Sequence, residues 1–362
     1  MKNTFGTSVA VTLFGESHGE YIGAVLDGLA PGIAIDHEYI AHMLTLRRPA
    51  GKISTPRQEQ DAYRIVSGVR NGKTTGTPIT ILIPNENVKS GDYSRTETVA
   101  RPSHADFAAQ CKYHGFQDYR GGGHFSGRIT AALVAAGAIC KCALEQKGIR
   151  IGTHVKKCGG VSDRDFGDLS SDIQLLNDKV FAVLEEASAE KMQEAILAAA
   201  ADGDSVGGIL ETAVVGVPEG VGEPWFDTME GMLSHMLFSI PAVKGVEFGA
   251  GFGLADLRGS TANDPFHMEN GKVVSDTNHS GGINGGITNG MPIVFRTAVK
   301  PTPTIFKPQK TVDFGTMTDA VLTPKGRHDP AIVHRARIVQ DAATAIVLCD
   351  ALALRFGTDW LR

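Results

Sequence analysis

Histidine, cationic and glycine residues are concentrated in residues 101–128, RPSHADFAAQCKYHGFQDYRGGGHFSGR. This stretch holds three histidines, four Lys or Arg side chains and a run of three glycines. Cationic side chains bind anionic oxygens, imidazoles exchange protons near neutral pH, and glycines let backbone N–H groups approach a ligand closely. The apolar run ITAALVAAGAIC follows directly and predicts a buried helix, whose N-terminus also favours an anion. The stretch therefore predicts a site that holds an anionic ligand and moves protons.

Within this stretch, His104 stands two residues before a carboxylate, Asp106. Such a pair can fix the imidazole tautomer and make His104 a general acid. The alternative is an ordinary helix start, with Ser103 as N-cap and Asp106 at the N3 position, and both interpretations can hold together. No His, Cys or Asp spacing matches a zinc pattern, so the sequence predicts no metal site.

Other polar segments carry groups suited to the same kind of ligand. Ser17 and His18 occupy a tight turn, GESHG, after a predicted strand. Residues 300–304, KPTPT, offer an ammonium group and hydroxyls for a phosphate, and residues 325–330, KGRHDP, add a second cluster of cations and acid. Residues 277–290 form a glycine-rich loop, either a surface Ω-loop or a backbone platform for a flat ligand. The glycine spacing fits neither the P-loop nor the dinucleotide fingerprint, which argues against a Rossmann nucleotide enzyme.

Composition and charge narrow the class of protein. The net charge of −5 argues against a general nucleic-acid binder. Residues 41–130 nevertheless contain 13 Lys or Arg and 7 Asp or Glu, which predicts a focused site for a small anion. The five cysteines form no CxxC pair and are expected to be buried free thiols. The N-terminus lacks an apolar signal region, and no apolar run reaches the roughly 20 residues of a membrane span. We therefore expect a cytoplasmic protein, or one in an organelle if a transit peptide has been lost.

Hydrophobic periodicity predicts an α+β fold in a single domain over residues 1–362. Strands come in adjacent pairs with few βαβ alternations, which argues against a doubly wound sheet. The predicted strands are 7–14, 21–27, 63–69, 78–84, 149–156, 208–217 and 292–299. The predicted helices are one capped by Asp36 and ending near Leu46, and 129–147, 172–186, 188–201, 228–237 and 340–355.

Eight motifs in a fixed order make the chain resemble the chorismate synthase family. They extend from residue 15 to residue 330 and are GESHG, RRP, RPSHAD, YRGGGHFSGR, PAVKGVEFG, NHSGGINGG, KPT and GRHDP. The resemblance implies a β-α-β sandwich, with helices between antiparallel sheets, assembled as a homotetramer. It also implies a lyase of the shikimate pathway to aromatic amino acids. Such an enzyme converts 5-enolpyruvylshikimate 3-phosphate to chorismate and phosphate by a trans-1,4-elimination that requires reduced FMN without net redox change.

The resemblance also implies roles for individual residues. It puts His18 beside the leaving phosphate as proton donor, and His104 near the reduced flavin, where an imidazolium balances the anionic ring. Asp329, with Ser17 as a relay, corresponds to the group that assists removal of the C6 proton through flavin N5. The arginines that match those around the phosphate and carboxylates are Arg48, Arg128 and Arg327, the last also close to the flavin.

The implied FMN contacts are His124, Phe125, Ser126, Pro241, Ala242, Gly285, Lys300, Pro301, Thr302, Pro303, Thr304 and Arg327. Many members read RSSAR where this chain has HFSGR, which loses a cation and a hydroxyl near the flavin and leaves the backbone contacts. Many also have Asn where this chain has Pro241, which removes a polar contact and a backbone donor. Arg47 and Lys52 match basic positions linked with a nicotinamide nucleotide in some members. Because the chain has no nucleotide fingerprint, we expect an outside flavin reductant rather than reduction by NADPH on the chain itself.

Two rival functions follow from the same residues. The first is a non-catalytic flavin-binding or phosphate-binding protein, against which the presence of His18, His104 and Asp329 argues. The second is a histidine phosphatase-like hydrolase, in which His18 is the nucleophile and phosphate leaves without flavin. Dependence of phosphate release on reduced flavin distinguishes these rivals from the lyase.

Overall fold

Two antiparallel sheets of five strands each enclose a layer of helices in the computed structural model, which describes residues 2–49, 51–55, 59–86, 97–324 and 328–362. The strands are β1 (Thr4–Phe5), β2 (Ala10–Gly15), β3 (Tyr21–Asp27), β4 (Arg64–Ile65), β5 (Val69–Arg70), β6 (Lys73–Thr74), β7 (Ile79–Pro84), β8 (Arg150–Cys158), β9 (Val161–Ser162), β10 (Gly208–Val215), β11 (Val243–Phe248), β12 (Phe266–Glu269), β13 (Lys272–Ser275), β14 (Ile283–Asn284), β15 (Ile287–Thr288), β16 (Ile293–Val299), β17 (Gln309–Asp313) and β18 (Thr318–Leu322). The helices are α1 (His37–Arg47), α2 (Asp106–Tyr113), α3 (Thr130–Gln146), α4 (Leu169–Asn177), α5 (Glu186–Ala201), α6 (Met229–Leu237), α7 (Gly259–Ala262) and α8 (Val333–Phe356).

The two sheets have the strand orders β1-β2-β3-β7-β4 and β11-β16-β10-β8-β9. Each described strand pair is antiparallel; in the second sheet, for example, Thr212 lies between Thr153 on one side and Phe295 on the other. Helix α3 packs against β2, β3 and β7 of the first sheet, and α8 packs against β8 and β10 of the second. The predicted α+β sandwich, with helices between antiparallel sheets, is confirmed.

Helices α3 and α8 form the centre of the helical layer. They approach closely at Gly137, where an added Cβ would lie only 2.5 Å from the Cβ of Ala342. Residues 127–146 are long and apolar enough to cross a membrane, contrary to the expectation of no such run, but 83% of that window is buried inside the protein. A helix covered on all faces is apolar on all faces, which explains the missing polar stripe of α3.

The last helix begins at Val333 and not at residue 340 as predicted. The missed residues 333–339 include His334, Arg335 and Arg337, which interrupt the apolar pattern on which the prediction rests, although His334 and Arg337 are buried. Gln340 accepts a hydrogen bond from Thr297 Oγ1 at 2.6 Å and donates one to Thr212 Oγ1 at 2.7 Å. Thr153 Oγ1 donates to Asp341 Oδ1 at 2.5 Å. Buried polar groups are stable when bonded in this way, so a polar face of α8 fits against the second sheet.

Other differences from the sequence prediction have local causes. The strand expected at 63–69 is reduced to β4 and β5, and the helix expected at 172–186 ends at Asn177. Strand β11 was not predicted, because Gly245 and a register shift interrupt its alternation. All five cysteines are free as predicted, but Cys111 is exposed and Cys142 is only partly buried.

A buried ion cluster ties β8 and β10 to the segments that precede α4 and α5. His154 is fully buried; its Nδ1 donates to Asp163 Oδ2 at 2.8 Å and its Nε2 to Glu211 Oε2 at 2.9 Å. Asp163 also accepts the N–H groups of Leu184 and Glu185. Burial alone would lower the pKa of His154, but the hydrogen bonds to Asp163 and Glu211 raise it above the ordinary value of 6.5. The ring is therefore an imidazolium between two carboxylates.

Replacing His154 with glutamine is expected to lower the free energy of unfolding by roughly 2 kcal/mol near pH 6, the scale of hydrogen bonds to charged groups. Because the folded-state pKa is raised, the stabilisation is complete below the ordinary pKa of 6.5 and is lost as the pH rises through the raised value. The difference between the wild type and His154→Gln should therefore shrink with rising pH in urea titrations. His267→Gln, on an exposed strand, is the control. A difference that stays constant with pH would contradict the imidazolium assignment.

Candidate active site

A cavity of about 940 Å³ brings together residues from widely separated parts of the sequence. Its walls come from the β1 and β2 strands, the segment after α1, the 101–105 and 121–130 segments, the end of α6, the 300–304 segment and the start of α8. The volume lies within the range of small-molecule and cofactor sites. The predicted site residues that line it are His18, Arg47, Arg48, His104, His124, Phe125, Ser126, Arg128, Pro241, Ala242, Lys300, Thr302, Pro303, Thr304 and Asp329.

The run of three glycines, residues 121–123, forms a turn (the triglycine turn) at the floor of the site. All three glycines have positive φ, at 59°, 84° and 54°, which is strained for other residues. Two hydrogen bonds hold the turn against the GESHG segment: Ser17 N–H donates to Gly123 O at 3.0 Å, and His124 Nδ1 donates to Gly15 O at 2.8 Å. Since a carbonyl only accepts, the Nδ1 of His124 carries the proton.

His18 lies against this turn with 8% of its surface exposed to the cavity. An added Cβ at Gly121 would lie 2.3 Å from His18 Cε1 and 3.0 Å from Ser17 Oγ, so the turn and both side chains are in direct contact. Ser17 is fully buried, and its Oγ has no hydrogen-bond partner among the described residues. Unlike His18, Ser17 does not line the cavity.

His104 is held from behind by a carboxylate. Its Nδ1 lies 2.7 Å from Asp106 Oδ1, and Arg101 donates to both oxygens of the same carboxylate at 2.8 Å. Burial alone would raise the pKa of Asp106, but the hydrogen bonds from Arg101 and His104 hold it well below its usual range. Because an ionised carboxylate only accepts, Nδ1 of His104 carries the proton and Nε2 is the nitrogen left for chemistry.

A helix starts here as that interpretation required, but the predicted capping by Ser103 and Asp106 is wrong. Asp106 is the first residue of α2, and Ala105, whose side chain makes no capping bond, occupies the N-cap position. Ser103 has φ of 58° and cannot take the extended conformation of an N-cap. Asp106 therefore bonds Arg101 and His104 instead of the helix N-terminus.

Two arginines at the cavity wall share one buried carboxylate. Asp61 accepts from Arg47 Nη2 at 3.2 Å and forms a short ion pair with Arg128 Nη1. Burial lowers the pKa of Arg47 to about 10 even though Asp61 opposes the shift. Arg128 further donates to Asn85 Oδ1 at 2.8 Å and to Pro84 O at 3.0 Å. These three bonds leave two of its five N–H groups for a ligand.

Arg48 and Asp329 lie on the same side of the cavity. Arg48 donates to Thr45 Oγ1, while its buried Nε has no hydrogen-bond partner among the described residues. Asp329 accepts from Thr55 N–H at 2.8 Å and from Arg335 Nη1 at 2.6 Å. Arg335 also donates to Arg47 O at 3.0 Å, so its side chain links the Asp329 carboxylate to the backbone of Arg47.

A further part of the cavity wall is formed by residues 300–304 and the start of β11. Burial and the nearby charge of Lys244 lower the pKa of Lys300, whose Nζ donates to Ser103 O at 2.5 Å. Thr302 Oγ1 is buried without a hydrogen-bond partner in the described ranges. Pro241 and Ala242, which has φ of 75°, complete this wall. Two cations and an unpartnered hydroxyl suit an anionic group.

Some predicted residues lie elsewhere. Lys52, Pro301 and Gly285 do not line the cavity, and Gly285 is at the β14–β15 turn. Arg327 lies outside the described residues. Within those residues, no group of three His, Cys, Asp or Glu side chains is placed to hold a metal ion.

The structure also adds three residues that the sequence did not single out: Asp61, Lys244 and Arg335. Lys244 lies inside the PAVKGVEFG motif, which offered a signal for it. Asp61 and Arg335 stand in segments without any motif, and their roles depend on contacts between distant parts of the chain.

Comparisons with known proteins agree with this geometry. The family model described as chorismate synthase matches residues 9–353. The chorismate synthase of Thermococcus kodakarensis is 45% identical over 350 residues, 97% of each chain, and that of Pyrococcus abyssi is 47% identical over the same length and shares. The chorismate synthase of Dehalococcoides mccartyi is 46% identical over 360 residues, 99% of this chain and 98% of the relative. A solved structure, titled crystal structure of chorismate synthase, superposes with a TM-score of 0.76 at 32% identity over 97% of this chain and 94% of the other. With a cavity that brings the motif residues together and relatives that match along nearly the whole length, the chain belongs to the chorismate synthase family.

Proposed function

We propose that the cavity binds 5-enolpyruvylshikimate 3-phosphate together with reduced FMN, and that His18, His104 and Asp329 are its proton-transfer groups. The reaction is that of the family, the elimination of phosphate to give chorismate in the shikimate pathway. The observation that carries the proposal is that one cavity collects these three residues, from positions 18, 104 and 329, with several cations around them. Phosphate expulsion needs that combination of positive charge and a proton donor.

The side of the cavity with Arg48, Arg128 and Asp329 suits the substrate. Arg48 Nε and the two remaining N–H groups of Arg128 are available to bind phosphate or carboxylate oxygens. His18 would give its proton to the leaving phosphate, and Asp329 would receive the proton removed from C6. Asp329 is held ready by Thr55 and Arg335, which fix its two oxygens. We retain Ser17 as a relay because its buried hydroxyl has no partner within the described segments.

The wall with Lys300, Thr302 and Thr304 fits FMN. The unpartnered Thr302 hydroxyl and the ammonium groups of Lys300 and Lys244 would hold its phosphate, and the backbone of residues 124–126 and 241–242 would face the rings. When bound, reduced FMN supplies an electron to the substrate and recovers it. His104 presents Nε2 on this side, where an imidazolium would balance the negative charge of the reduced ring. Arg327 and Gly285 remain proposed contacts on the family pattern alone.

Replacing Thr302 with valine tests the proposed phosphate contact, because valine keeps the shape and removes the hydroxyl. We expect FMN to bind roughly 10-fold more weakly, the scale of one hydrogen bond to a charged group, whereas riboflavin, which lacks the phosphate, should bind equally to both proteins. Quenching of flavin fluorescence measures both affinities. The control is Thr316→Val, whose hydroxyl bonds Thr318 outside the cavity. Equal losses for FMN and riboflavin would remove the phosphate contact from the proposal.

We further propose that an outside reductant supplies the reduced flavin. Arg47 is buried in its ion pair with Asp61, and Lys52 lies outside the cavity, so neither presents a free charge to a nicotinamide nucleotide there. Mixing the protein with NADPH and oxidised FMN in a stopped-flow spectrometer should leave the flavin oxidised. Bleaching of the flavin absorbance would show instead that the chain reduces its own cofactor.

We also propose that the chain acts as one domain in a cytoplasmic homotetramer, as the family pattern implies. Large exposed apolar side chains support association of copies, including Trp225 at 85%, Phe226 at 95% and Phe252 at 83% exposure. Light scattering that gives four times the mass of the chain would agree with the tetramer, and the mass of a monomer would exclude it.

A further inference from the structure

We propose that the triglycine turn is the positioning element that sets the imidazoles of both His18 and His104, through Gly121 for the first and Gly122 for the second. This inference rests on the proposed roles of the two histidines. It assigns a function in the reaction to two residues without side chains, which act only through the space that they leave for the rings.

The contact with His18 is the tighter of the two. A Cβ added at Gly121 would lie 2.3 Å from Cε1 and 2.4 Å from Nδ1 of His18, both distances that real Cβ atoms essentially never show. The His18 ring therefore occupies the volume that any side chain at Gly121 would need. The His18 ring can occupy this position in the cavity only because residue 121 has no side chain.

The next residue of the turn contacts the other histidine. A Cβ added at Gly122 would lie 3.2 Å from Cε1 and 3.3 Å from Nε2 of His104. Asp106 holds the Nδ1 edge of the same ring at 2.7 Å. The ring thus lies between a carboxylate and the turn, and a change in the turn that moves Nε2 would also alter proton transfer.

The turn cannot easily move away from either ring. Gly123 packs on the backbone of Asp118, where an added Cβ would lie 2.0 Å from the carbonyl oxygen. Ser17 N–H and His124 Nδ1 bond the turn to the GESHG segment. Because this backbone is fixed on both sides, a methyl group at Gly121 or Gly122 should displace the ring and not the turn.

Double-mutant cycles test the proposal, with kcat and KM measured anaerobically with reduced FMN. Gly121→Ala is expected to lower kcat by roughly 10- to 100-fold, the cost of misplacing a catalytic group by about 1 Å, with little change in KM. In a His18→Ala background, the same substitution should cost little more, since the ring that it displaces is gone. In a His104→Ala background it should keep its full effect. Gly122→Ala should lower kcat by a smaller factor. It should cost little more in a His104→Ala background and keep its full effect in a His18→Ala background.

Backbone strain is the rival explanation, because alanine is disfavoured at the positive φ of both glycines. Strain would lower kcat by the same factor in every background, and that result would overturn the inference. If Gly121→Ala does not give folded protein, the double-mutant cycle of Gly122→Ala with the two histidines still tests the role of the turn. Gly259→Ala, which has open space around its Cβ, is the control for handling and assay. Wild-type protein that makes no chorismate would refute the proposed function itself, whereas an active wild type with background-independent losses would refute only the role of the turn.

Discussion

Replacing His18 or His104 with alanine is expected to reduce the rate of chorismate formation by roughly 10- to several-hundred-fold for each variant, the usual scale of a general acid or base. For His18, the loss removes the proposed donor to the leaving phosphate at the cavity wall. For His104, it removes an imidazole whose Nδ1 is fixed by Asp106, so that Nε2 is presented at the proposed flavin side. Neither ring is part of the hydrophobic core, so both variants should fold.

The two variants should differ in what they lose. His104→Ala should also weaken the binding of reduced FMN, because no imidazolium then balances the ring, whereas His18→Ala should bind FMN normally. His267→Ala is a matched control, since His267 is exposed on β12 and pairs with Asp276 away from the cavity. Full activity in both cavity variants would show that the roles assigned to these histidines are wrong.

Replacing Asp61 with asparagine is expected to lower the free energy of unfolding by about 3–5 kcal/mol, the scale for removing one partner of a buried ion pair. Asp61 has a fully buried side chain, and Arg47 and Arg128 keep only 6% and 4% of their side chains exposed. Asparagine leaves both guanidinium groups without a counter-charge. Asparagine tolerates the left-handed backbone at this position, where φ is 54°. The substitution therefore adds no backbone strain that would itself lower the free energy of unfolding.

The pH dependence gives a second test of Asp61. Burial alone would raise its pKa, but Arg47 and Arg128 lower it below the ordinary value of 3.8. The stabilisation is therefore present above the ordinary value and is lost as the pH falls through the lowered folded-state value. Urea unfolding measures the effect, with Asp165→Asn as control, because the Asp165 side chain is 87% exposed and its ion pair with Lys156 should contribute below about 1 kcal/mol. A change of that small size at Asp61 would contradict the proposed network.

The parts of the site that the sequence predicted are those carried by short motifs. GESHG, RPSHAD and the glycine run each indicate their chemistry through adjacent residues, and the contact of His104 with Asp106 was predictable from a spacing of two residues. The all-round apolar sequence of α3 likewise predicted a helix covered on every side. What these features share is that the determining interactions are local or depend only on hydrophobic pattern.

The parts of the site and the fold that the sequence did not predict depend on contacts between residues far apart in the chain. Asp61 joins segments at 47 and 128 that meet only in the folded chain, and the link from Arg335 to Asp329 and Arg47 is of the same kind. The sequence predicts too late a start for α8 because His334, Arg335 and Arg337 interrupt the apolar pattern, although His334 and Arg337 are buried in the folded protein. The close approach of Gly121 and Gly122 to the two histidines also follows from long-range packing, since residue 18 is far from residue 121 in sequence.

The central claim is that this cavity eliminates phosphate from the enolpyruvyl substrate only with reduced flavin. The most direct measurement follows chorismate absorbance and released phosphate together, under anaerobic conditions, with purified protein and FMN reduced by dithionite. We predict that both products appear at equal rates and in equal amounts with reduced FMN, and that neither appears with oxidised FMN. Release of phosphate without flavin, or without chorismate, would contradict the lyase and indicate a hydrolase in its place.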